Sequence, residues 1–246
     1  MENRDEIRVV PGHDGADAAG DVTPHTPAPD LGDESHVREV GVGPWPGGPA
    51  AWPTDPRLDP ELLEHGDRRN VLDHYRYWLL EAIVAELDTR RLPLHVAVEN
   101  LAHDLNIGSI VRTANAFNLA GVHVVGRRRW NRRGAMVTDR YLHVHHHPDA
   151  DDFARAARAA GRTIVGVDLV SGSVPVEETR LPRDAVLVFG QESAGLSDRM
   201  REHCAQIVHV TQYGSTRSLN VAAAAAIVMH RWVTDWGPEP GGLSSS

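Results

Sequence analysis

The fold is decided by residues 185–197, which read Ala185-Val186-Leu187-Val188-Phe189-Gly190-Gln191-Glu192-Ser193-Ala194-Gly195-Leu196-Ser197. The first five residues are all apolar, as is typical of a parallel strand that is buried on both faces. Two glycines then flank a glutamate, and such a loop can wrap a ligand with backbone N–H groups and one carboxylate. A plain strand-to-helix turn with Ser197 as N-cap would explain the same residues.

Short apolar runs of the same kind recur from Leu92 onward, separated by segments of helix-forming composition. We predict strands at residues 94–98, 121–125, 163–167, 185–189 and 206–210. Strands that alternate with helices form a parallel sheet covered by helices on both faces. The predicted fold class is therefore α/β with a mostly parallel sheet, and the last helix is expected over the alanine-rich residues 218–233.

The chain that precedes this domain has a different composition. Residues 1–66 hold 14 acidic residues and 4 arginines and are rich in Gly and Pro, so we expect an acidic, disordered extension. Apolar residues at helical spacing predict one amphipathic helix over residues 70–91, within a lead-in segment at 67–91. The domain itself is expected at residues 92–236, and residues 237–246 are expected to form a flexible tail.

Composition also limits the classes of function. The net charge of −9 argues at first against a nucleic-acid partner, yet the residues after 66 hold 20 acids against 21 arginines. The single cysteine, Cys204, excludes an internal disulfide and a cysteine-based zinc cluster. The N-terminus does not resemble a signal peptide and no apolar run approaches about 20 residues, so we expect a cytoplasmic protein without a membrane partner.

Two more polar clusters lie where predicted strands lead into helices, which is where open parallel sheets bind ligands. One reads Glu99-Asn100 followed by Asn106-Ile107-Gly108-Ser109-Ile110-Val111-Arg112-Thr113. In this cluster Asn106 could cap a helix and Gly108 permits close backbone approach. The other reads Tyr213-Gly214-Ser215-Thr216-Arg217-Ser218-Leu219-Asn220-Val221 and runs into the alanine-rich helix. Helix capping alone would explain both clusters, although an anion or cofactor site uses the same geometry.

In their order and spacing, the three clusters resemble the SpoU/TrmH branch of the SPOUT methyltransferases, over about residues 92–232. The pattern is Asn-x-Gly-x-x-x-Arg-Thr, then Phe-Gly-x-Glu-x-x-Gly-Leu-Ser, then Ser-Leu-Asn-Val. The resemblance implies transfer of a methyl group from S-adenosylmethionine to a ribose 2′-hydroxyl of tRNA or rRNA, and it implies no DNA partner. It also implies a deep C-terminal trefoil knot and a homodimer whose active site is completed across the interface.

The resemblance assigns roles to individual residues. It implies catalytic or site-shaping roles for Asn106, Arg112, Glu192, Ser218 and Asn220. It implies a cofactor pocket formed around Val188, Gly190, Gly195, Val210 and Leu219. The family mechanism makes the arginine a general base, whereas a guanidinium that keeps its proton would clamp phosphate and stabilise the developing alkoxide. Thr211 stands where the family often has proline, which affects the expected geometry of that loop.

Two runs of similar side chains allow a structural or a functional interpretation. The first run is Arg127-Arg128-Arg129-Trp130-Asn131-Arg132-Arg133, which could be a solvated loop. Arginines beside an aromatic residue also hold phosphates and stack on bases, and we predict that this run contacts RNA. His143, His145 and His147 would share one strand face, yet with no cysteine nearby we predict no metal. Two alternatives to ribose methylation stay open: an inactive RNA-binding protein on this scaffold, or a SPOUT enzyme that methylates a base.

Overall fold

A computed structural model describes residues 41–99, 104–127, 130, 132–191 and 194–239, without the side chains of residues 104, 105, 132 and 133. The predictions for residues 1–40 and 240–246 lie outside the described residues. Within the described part, no helix is long and apolar enough to cross a membrane.

The described chain forms a seven-stranded sheet in which every pair of neighbouring strands is parallel. The strands are β1 (Leu92–Glu99), β2 (Leu119–Val125), β3 (Val144–His147), β4 (Thr163–Val167), β5 (Val174–Pro175), β6 (Ala185–Phe189) and β7 (Gln206–His209). Their order across the sheet is β3-β2-β1-β6-β4-β7-β5. The central strand β6 is buried along its whole length, because it has sheet neighbours on both sides and helices over both faces.

The described helices are α1 (Pro60–His65), α2 (Leu80–Asp88), α3 (Asp104–Ala116), α4 (Ala150–Ala159), α5 (Asp198–His203) and α6 (Val221–Trp236). The last four of these cover the two faces of the sheet. On one face, residues of α3 and α6 form the larger apolar core, in which Trp232 is fully buried and donates its indole N–H to the Pro182 carbonyl at 2.8 Å. On the other face, α4 and α5 bury Phe153 and Met200. The prediction of an α/β fold with helices on both faces of a parallel sheet is confirmed.

All five predicted strands are present, and the sheet has two strands more. Strand β5 is only two residues long and pairs with the end of β7, so it leaves almost no pattern in the sequence. Strand β3 is rich in histidine and lies at the sheet edge beside β2, where polar side chains are tolerated on a partly solvated surface.

The expectation of a disordered extension is wrong for residues 41–66. Val42 pairs with Asp67 in an antiparallel bridge, and the Trp45 backbone N–H donates to the Leu63 carbonyl at 2.8 Å. Helix α1 buries Leu63 between these contacts. Asp67 is fully buried and binds the Arg69 guanidinium at 2.7 Å, so it anchors the segment.

The single helix predicted over residues 70–91 is also wrong. A short 3₁₀ turn at Asp73–Tyr75 ends before Tyr77, whose φ of 63° lies in the left-handed region, and α2 begins only at Leu80. The backbone of residues 77–79 pairs instead with residues 57–59: Asp59 N–H donates to the Tyr77 carbonyl at 2.7 Å, and Leu79 N–H donates to the Arg57 carbonyl at 2.6 Å. These bonds use the groups that a continuous helix would need.

The helix ends differ from the predictions in two of three places. Asn106 is the third residue of α3, so it does not cap that helix. Helix α6 begins at Val221 and not at residue 218, because Asn220 is its N-cap and accepts the N–H groups of Ala222 and Ala223. Ser197 is the N-cap of α5, as in the plain strand-to-helix interpretation of its cluster, and accepts the Met200 N–H at 3.1 Å.

Candidate nucleoside-binding cleft and active site

The carboxyl ends of β6, β4 and β7 are neighbours in the sheet, and the loops that follow them enclose a cleft of about 430 Å³. Ligands of open parallel sheets bind at this edge. The volume lies in the range of pockets for small molecules and cofactors. The lining includes the apolar residues Val167, Phe189, Val210, Leu219 and Val221 and the polar residues Asp168, Gln191, His209, Gln212 and Arg217.

The glycine loop after β6 forms one side of the cleft. Gln191 and Gly195 exchange two backbone hydrogen bonds, at 2.9 and 2.8 Å, which closes the loop on itself. Gly195 has a φ of 66°, and a Cβ on Gly190 would lie 2.2 Å from the Gly195 carbonyl carbon. Both glycines are therefore required by the backbone path, and both line the cleft.

Two carboxylates hold the far end of this loop. Asp168, directly after β4, accepts the Leu196 N–H on its Oδ2 at 2.9 Å. Glu99, the buried last residue of β1, accepts the Ser197 N–H at 2.8 Å and the Ser197 hydroxyl at 2.5 Å.

Burial, with the nearby charge of Glu99, raises the pKa of the Cys204 thiol to about 11, so Cys204 stays protonated and is not a nucleophile.

The loop after β7 forms the opposite side of the cleft. The Thr211 N–H donates to Glu177 Oε1 at 3.1 Å, and the Thr211 hydroxyl donates to Glu177 Oε2 at 3.1 Å. Burial acts to raise the pKa of Glu177, but hydrogen bonds from backbone amides and from Thr211 outweigh it and lower that pKa. Glu177 thus anchors, as a carboxylate, the position where proline was expected.

Two of the predicted clusters meet at Asn106 and Asn220. The Asn220 side-chain N–H donates to Asn106 Oδ1 at 3.1 Å, which joins α3 to the start of α6. Ser218 and Leu219, which precede Asn220, line the cleft. The hydrogen bond therefore connects the first cluster to the wall of the cleft.

Arg112 does not line the described cleft. It is exposed on α3, and its Nη1 donates to Met136 Sδ at 2.9 Å. A Cβ on Gly108, one turn earlier, would lie 2.6 Å from the Ala135 nitrogen, so α3 packs closely on the 3₁₀ turn at Arg132–Ala135. Among the described residues, Arg112 is not part of the cleft lining.

The remaining predicted site residues have mixed outcomes. Val188 is fully buried in β6 on the face covered by α4 and α5, and it is not part of the described cleft lining. Glu192 lies outside the described residues, as do Arg128 and Arg129. Arg127 is exposed, whereas Trp130 is partly buried and packs against the main apolar core. The side chains of Arg132 and Arg133 are not described.

The histidine run does not form a metal site among the described residues, where no cluster of three His, Cys, Asp or Glu could hold an ion. His147 instead bonds to His123 at 2.9 Å and to Asp152 at 3.0 Å, and His143 bonds to Asp88 at 2.9 Å.

Sequence reasoning assigned no role to five polar residues of the described lining, Asp168, Gln191, His209, Gln212 and Arg217, or to the anchoring carboxylate Glu177. Glu99 stood at the head of the first cluster without a role, and the structure shows that it anchors Ser197. A signal was present for Asp168 as well, because it directly follows a strand at the ligand-binding edge.

The fold and the cleft define a class of protein: an α/β protein with a candidate small-molecule site at the carboxyl edge of a parallel sheet. The chain belongs to the SpoU rRNA Methylase family, whose model matches residues 93–230.

Individual relatives agree with this family. The chain is 34% identical over 143 residues to an uncharacterized tRNA/rRNA methyltransferase of Mycolicibacterium smegmatis, which covers 55% of this chain and 45% of that protein. It is 27% identical over 153 residues to the tRNA (guanosine(18)-2′-O)-methyltransferase of Escherichia coli K12, covering 61% of this chain and 67% of the relative. The chain thus spans about half to two thirds of the length of these relatives.

A solved structure shows the same fold. The SpoU methyltransferase AviRb from Streptomyces viridochromogenes, in complex with the cofactor AdoMet, is 29% identical with a TM-score of 0.53. The likeness covers 61% of this chain and 63% of that chain.

Proposed function

We propose that the protein transfers a methyl group from S-adenosylmethionine to a ribose 2′-hydroxyl of tRNA or rRNA. The observation that carries the proposal is the hydrogen bond between Asn106 and Asn220, which brings the first and third family clusters together at the wall of the cleft. The E. coli relative named for 2′-O-methylation supports the ribose as the acceptor.

The cleft fits S-adenosylmethionine. Phe189, Val210 and Leu219 offer an apolar surface for adenine, and Gly190 and Gly195 shape the loop beside it. Gln212, also in the lining, has a buried Oε1 without a hydrogen-bond partner among the described residues, which a donor would satisfy. When bound, the cofactor supplies a methyl group on a sulfonium, which an alcohol oxygen can attack.

The protein must hold the ribose hydroxyl close to that methyl group and stabilise the oxygen as its proton passes to solvent water. We assign the stabilisation to Arg112, as a clamp for the adjacent phosphate and for the developing negative charge. Asn106, Asn220, Ser218 and Glu192 would shape the site around the hydroxyl.

The position of Arg112 supports a homodimer. Arg112 does not belong to the described lining of the cleft in its own chain, so a second copy would bring its arginine to this cleft. We further propose the C-terminal trefoil knot, supported by the return of the chain from β7 to pack α6 on α3.

The RNA would contact the arginines of residues 127–133, of which Arg127 is exposed beside the end of β2. Arginine pairs with phosphate in a planar, bidentate geometry. The cytoplasm, where tRNA and rRNA are modified, would be the location.

The test is methylation in vitro with labelled S-adenosylmethionine and total tRNA or rRNA, followed by mass spectrometry of the nucleosides. We expect 2′-O-methylnucleosides, and resistance to alkaline cleavage at the modified site. A methylated base would identify a base-modifying enzyme instead. RNA binding without any methyl transfer would identify an inactive RNA-binding protein.

A further inference from the structure

Asp168 is a carboxylate of the cleft to which the family pattern assigns no role. Its backbone N–H donates to the Val208 carbonyl at 2.9 Å, which fixes its position at the end of β4. Its Oδ2 accepts the Leu196 N–H at 2.9 Å. Among the described residues, its Oδ1 has no hydrogen-bond partner, and the residue lines the cleft. One oxygen therefore holds the loop while the other is left for a ligand.

Holding the loop does not by itself require a carboxylate, because the single carbonyl oxygen of an asparagine could accept the Leu196 N–H. The chain makes room for this side chain. A Cβ at Gly195 would lie 2.4 Å from Asp168 Oδ2, so residue 195 must lack a side chain for Asp168 to stay in place. Within the described part, Asp168 forms no salt bridge, although its negative charge is one of the smaller causes, after the hydrogen bond to Asp198, that raise the pKa of Arg201.

The surroundings of Asp168 make an unused carboxylate oxygen costly. Val167 and Phe189 line the same cleft, and a ligand that fills it would remove water from the carboxylate. A carboxylate that loses water without gaining a donor is destabilised, whereas a hydrogen bond to a charged acceptor is among the stronger ones. The bound ligand must therefore present a donor to Oδ1.

We propose that Asp168 accepts a hydrogen bond from a ribose hydroxyl of the adenosine in this cleft, while its other oxygen holds Leu196. The proposal rests on the proposed function, in which the cleft holds S-adenosylmethionine. A carboxylate at the carboxyl end of a parallel strand binds ribose hydroxyls in the same way in dinucleotide-binding sheets. The ammonium group of the cofactor is a second donor of the same ligand, and the experiment separates the two.

The first measurement uses the unaltered protein and calorimetric titration with S-adenosylhomocysteine and its 2′-deoxy and 3′-deoxy analogues. We expect one analogue to bind about tenfold to a hundredfold more weakly than the parent ligand, the scale of one hydrogen bond to a charged group. Equal affinity for all three ligands would overturn the proposal, and this result requires no variant. Absence of S-adenosylhomocysteine binding at millimolar concentration would overturn the proposed function itself.

The second measurement uses Asp168→Asn, which keeps an acceptor for the Leu196 N–H. We expect the variant to bind S-adenosylhomocysteine more weakly than the parent protein, by the same factor that the deoxy substitution costs the parent. The affinity of the variant for the weaker deoxy analogue should be little or no lower than that of the parent. An equal loss with every ligand would show that Asp168 only positions the loop, and would overturn the proposal. Asp184→Asn removes a carboxylate that bonds to Thr163 at the opposite end of β4, and should leave all affinities unchanged.

The third measurement uses 5′-methylthioadenosine, which keeps the ribose and lacks the amino-acid end. We expect Asp168→Asn to weaken its binding by the same factor as for S-adenosylhomocysteine. If Asp168→Asn does not weaken the binding of 5′-methylthioadenosine, Asp168 binds the ammonium group, and the assignment to ribose is overturned.

Discussion

The side chain of Arg112 extends from a helix that is held in place by other residues. Ile110, Val111 and Ala114 are fully buried against the sheet, and Gly108 fits closely against residues 134 and 135. Because Arg112 itself is exposed, a substitution there leaves these anchoring contacts intact.

We therefore expect Arg112→Ala to fold, to dimerise and to bind S-adenosylhomocysteine like the parent. Methyl transfer should fall by a factor of at least ~10², the scale of one charged transition-state contact. Arg112→Lys keeps the charge without the forked geometry, so high activity would indicate simple electrostatics and loss would indicate a bidentate contact. Single-turnover assays on RNA measure both effects.

The matched control for Arg112 is Arg155→Ala, which removes an exposed arginine from α4 on the opposite face of the sheet. This variant should methylate at the parent rate. Parent-rate methylation by Arg112→Ala would show that the assignment of Arg112 is wrong.

Glu177 and Thr211 offer a second test at the level of single residues. Glu177→Ala should weaken S-adenosylhomocysteine binding several-fold, because the loop beside Val210 loses both hydrogen bonds that anchor it. Adding Thr211→Pro should restore most of the affinity, since proline has no N–H to satisfy and fixes its own φ. Calorimetry on the single and double variants measures the recovery.

Glu178→Ala, the exposed neighbour of Glu177, is the control for this pair and should bind the ligand normally. If Thr211→Pro weakens binding further in the Glu177→Ala background, the loop does not accept the proline geometry and the explanation fails.

At the level of elements, three strands are linked by a chain of histidine side chains. His95 of β1 bonds to His123 of β2 at 2.9 Å, His123 bonds to His147 of β3 at 2.9 Å, and His147 bonds to Asp152 at 3.0 Å. A carboxylate only accepts, so with the three rings uncharged each Nδ1–H donates toward Asp152. The chain of rings satisfies polar groups on the partly buried face beneath α4.

Burial, reinforced by the nearby positive charges, lowers the pKa of His95 to about 3 and the pKa of His123 to about 2. Both values lie below the unfolded value near 6.5, so the unfolded chain binds more protons in acid. Stability should therefore fall as the pH drops below about 6.5, by about 1.4 kcal/mol per pH unit for each histidine. Denaturant unfolding between pH 8 and pH 5 measures this slope.

The variant His123→Phe should be less stable at pH 8, because His95 and His147 lose their shared partner, but its stability should depend less steeply on pH. His65→Gln removes an exposed histidine of α1 and serves as the control, with an unchanged slope. An identical slope in His123→Phe and the parent would exclude His123 as a source of the acid sensitivity.

For the whole molecule, the segment 41–79 is part of the folded unit. Tyr75 of this segment packs with Ile83 of α2 and with Tyr141, and all three are buried. A chain that starts at residue 41 should match the full chain in its free energy of unfolding. The free energy of unfolding of a chain that starts at Leu80 should be at least about 3 kcal/mol lower, which is the scale of removing one large buried aromatic side chain.

A chain that starts at Glu61 keeps Tyr75 and should be destabilised less than the chain from Leu80, because it lacks only contacts such as the Asp59 cap of α1 and the Trp45 hydrogen bond to Leu63. Denaturant titration of the shortened chains gives the comparison. If the chain from Leu80 and the full chain are equally stable, segment 41–79 contacts the domain without stabilising it.

The sequence by itself determined the class of fold, five of the seven strands in the described part of the chain, and the three polar clusters. These features depend on local patterns: a buried strand such as 185–189 needs a continuous apolar run, and the turn after it needs glycine at Gly195. The order and spacing of the clusters also indicated the family, because the same residue types must follow the same elements.

Only the tertiary structure decided which residues meet. Leu196 and Asp168 are 28 residues apart, Ser197 and Glu99 are 98 apart, and Asn220 and Asn106 are 114 apart. The break near Tyr77 likewise depends on backbone bonds to residues 57–59, which compete with a helix that the local pattern favours. Contacts between distant residues leave no periodic pattern in the chain, because the fold alone brings the partners together.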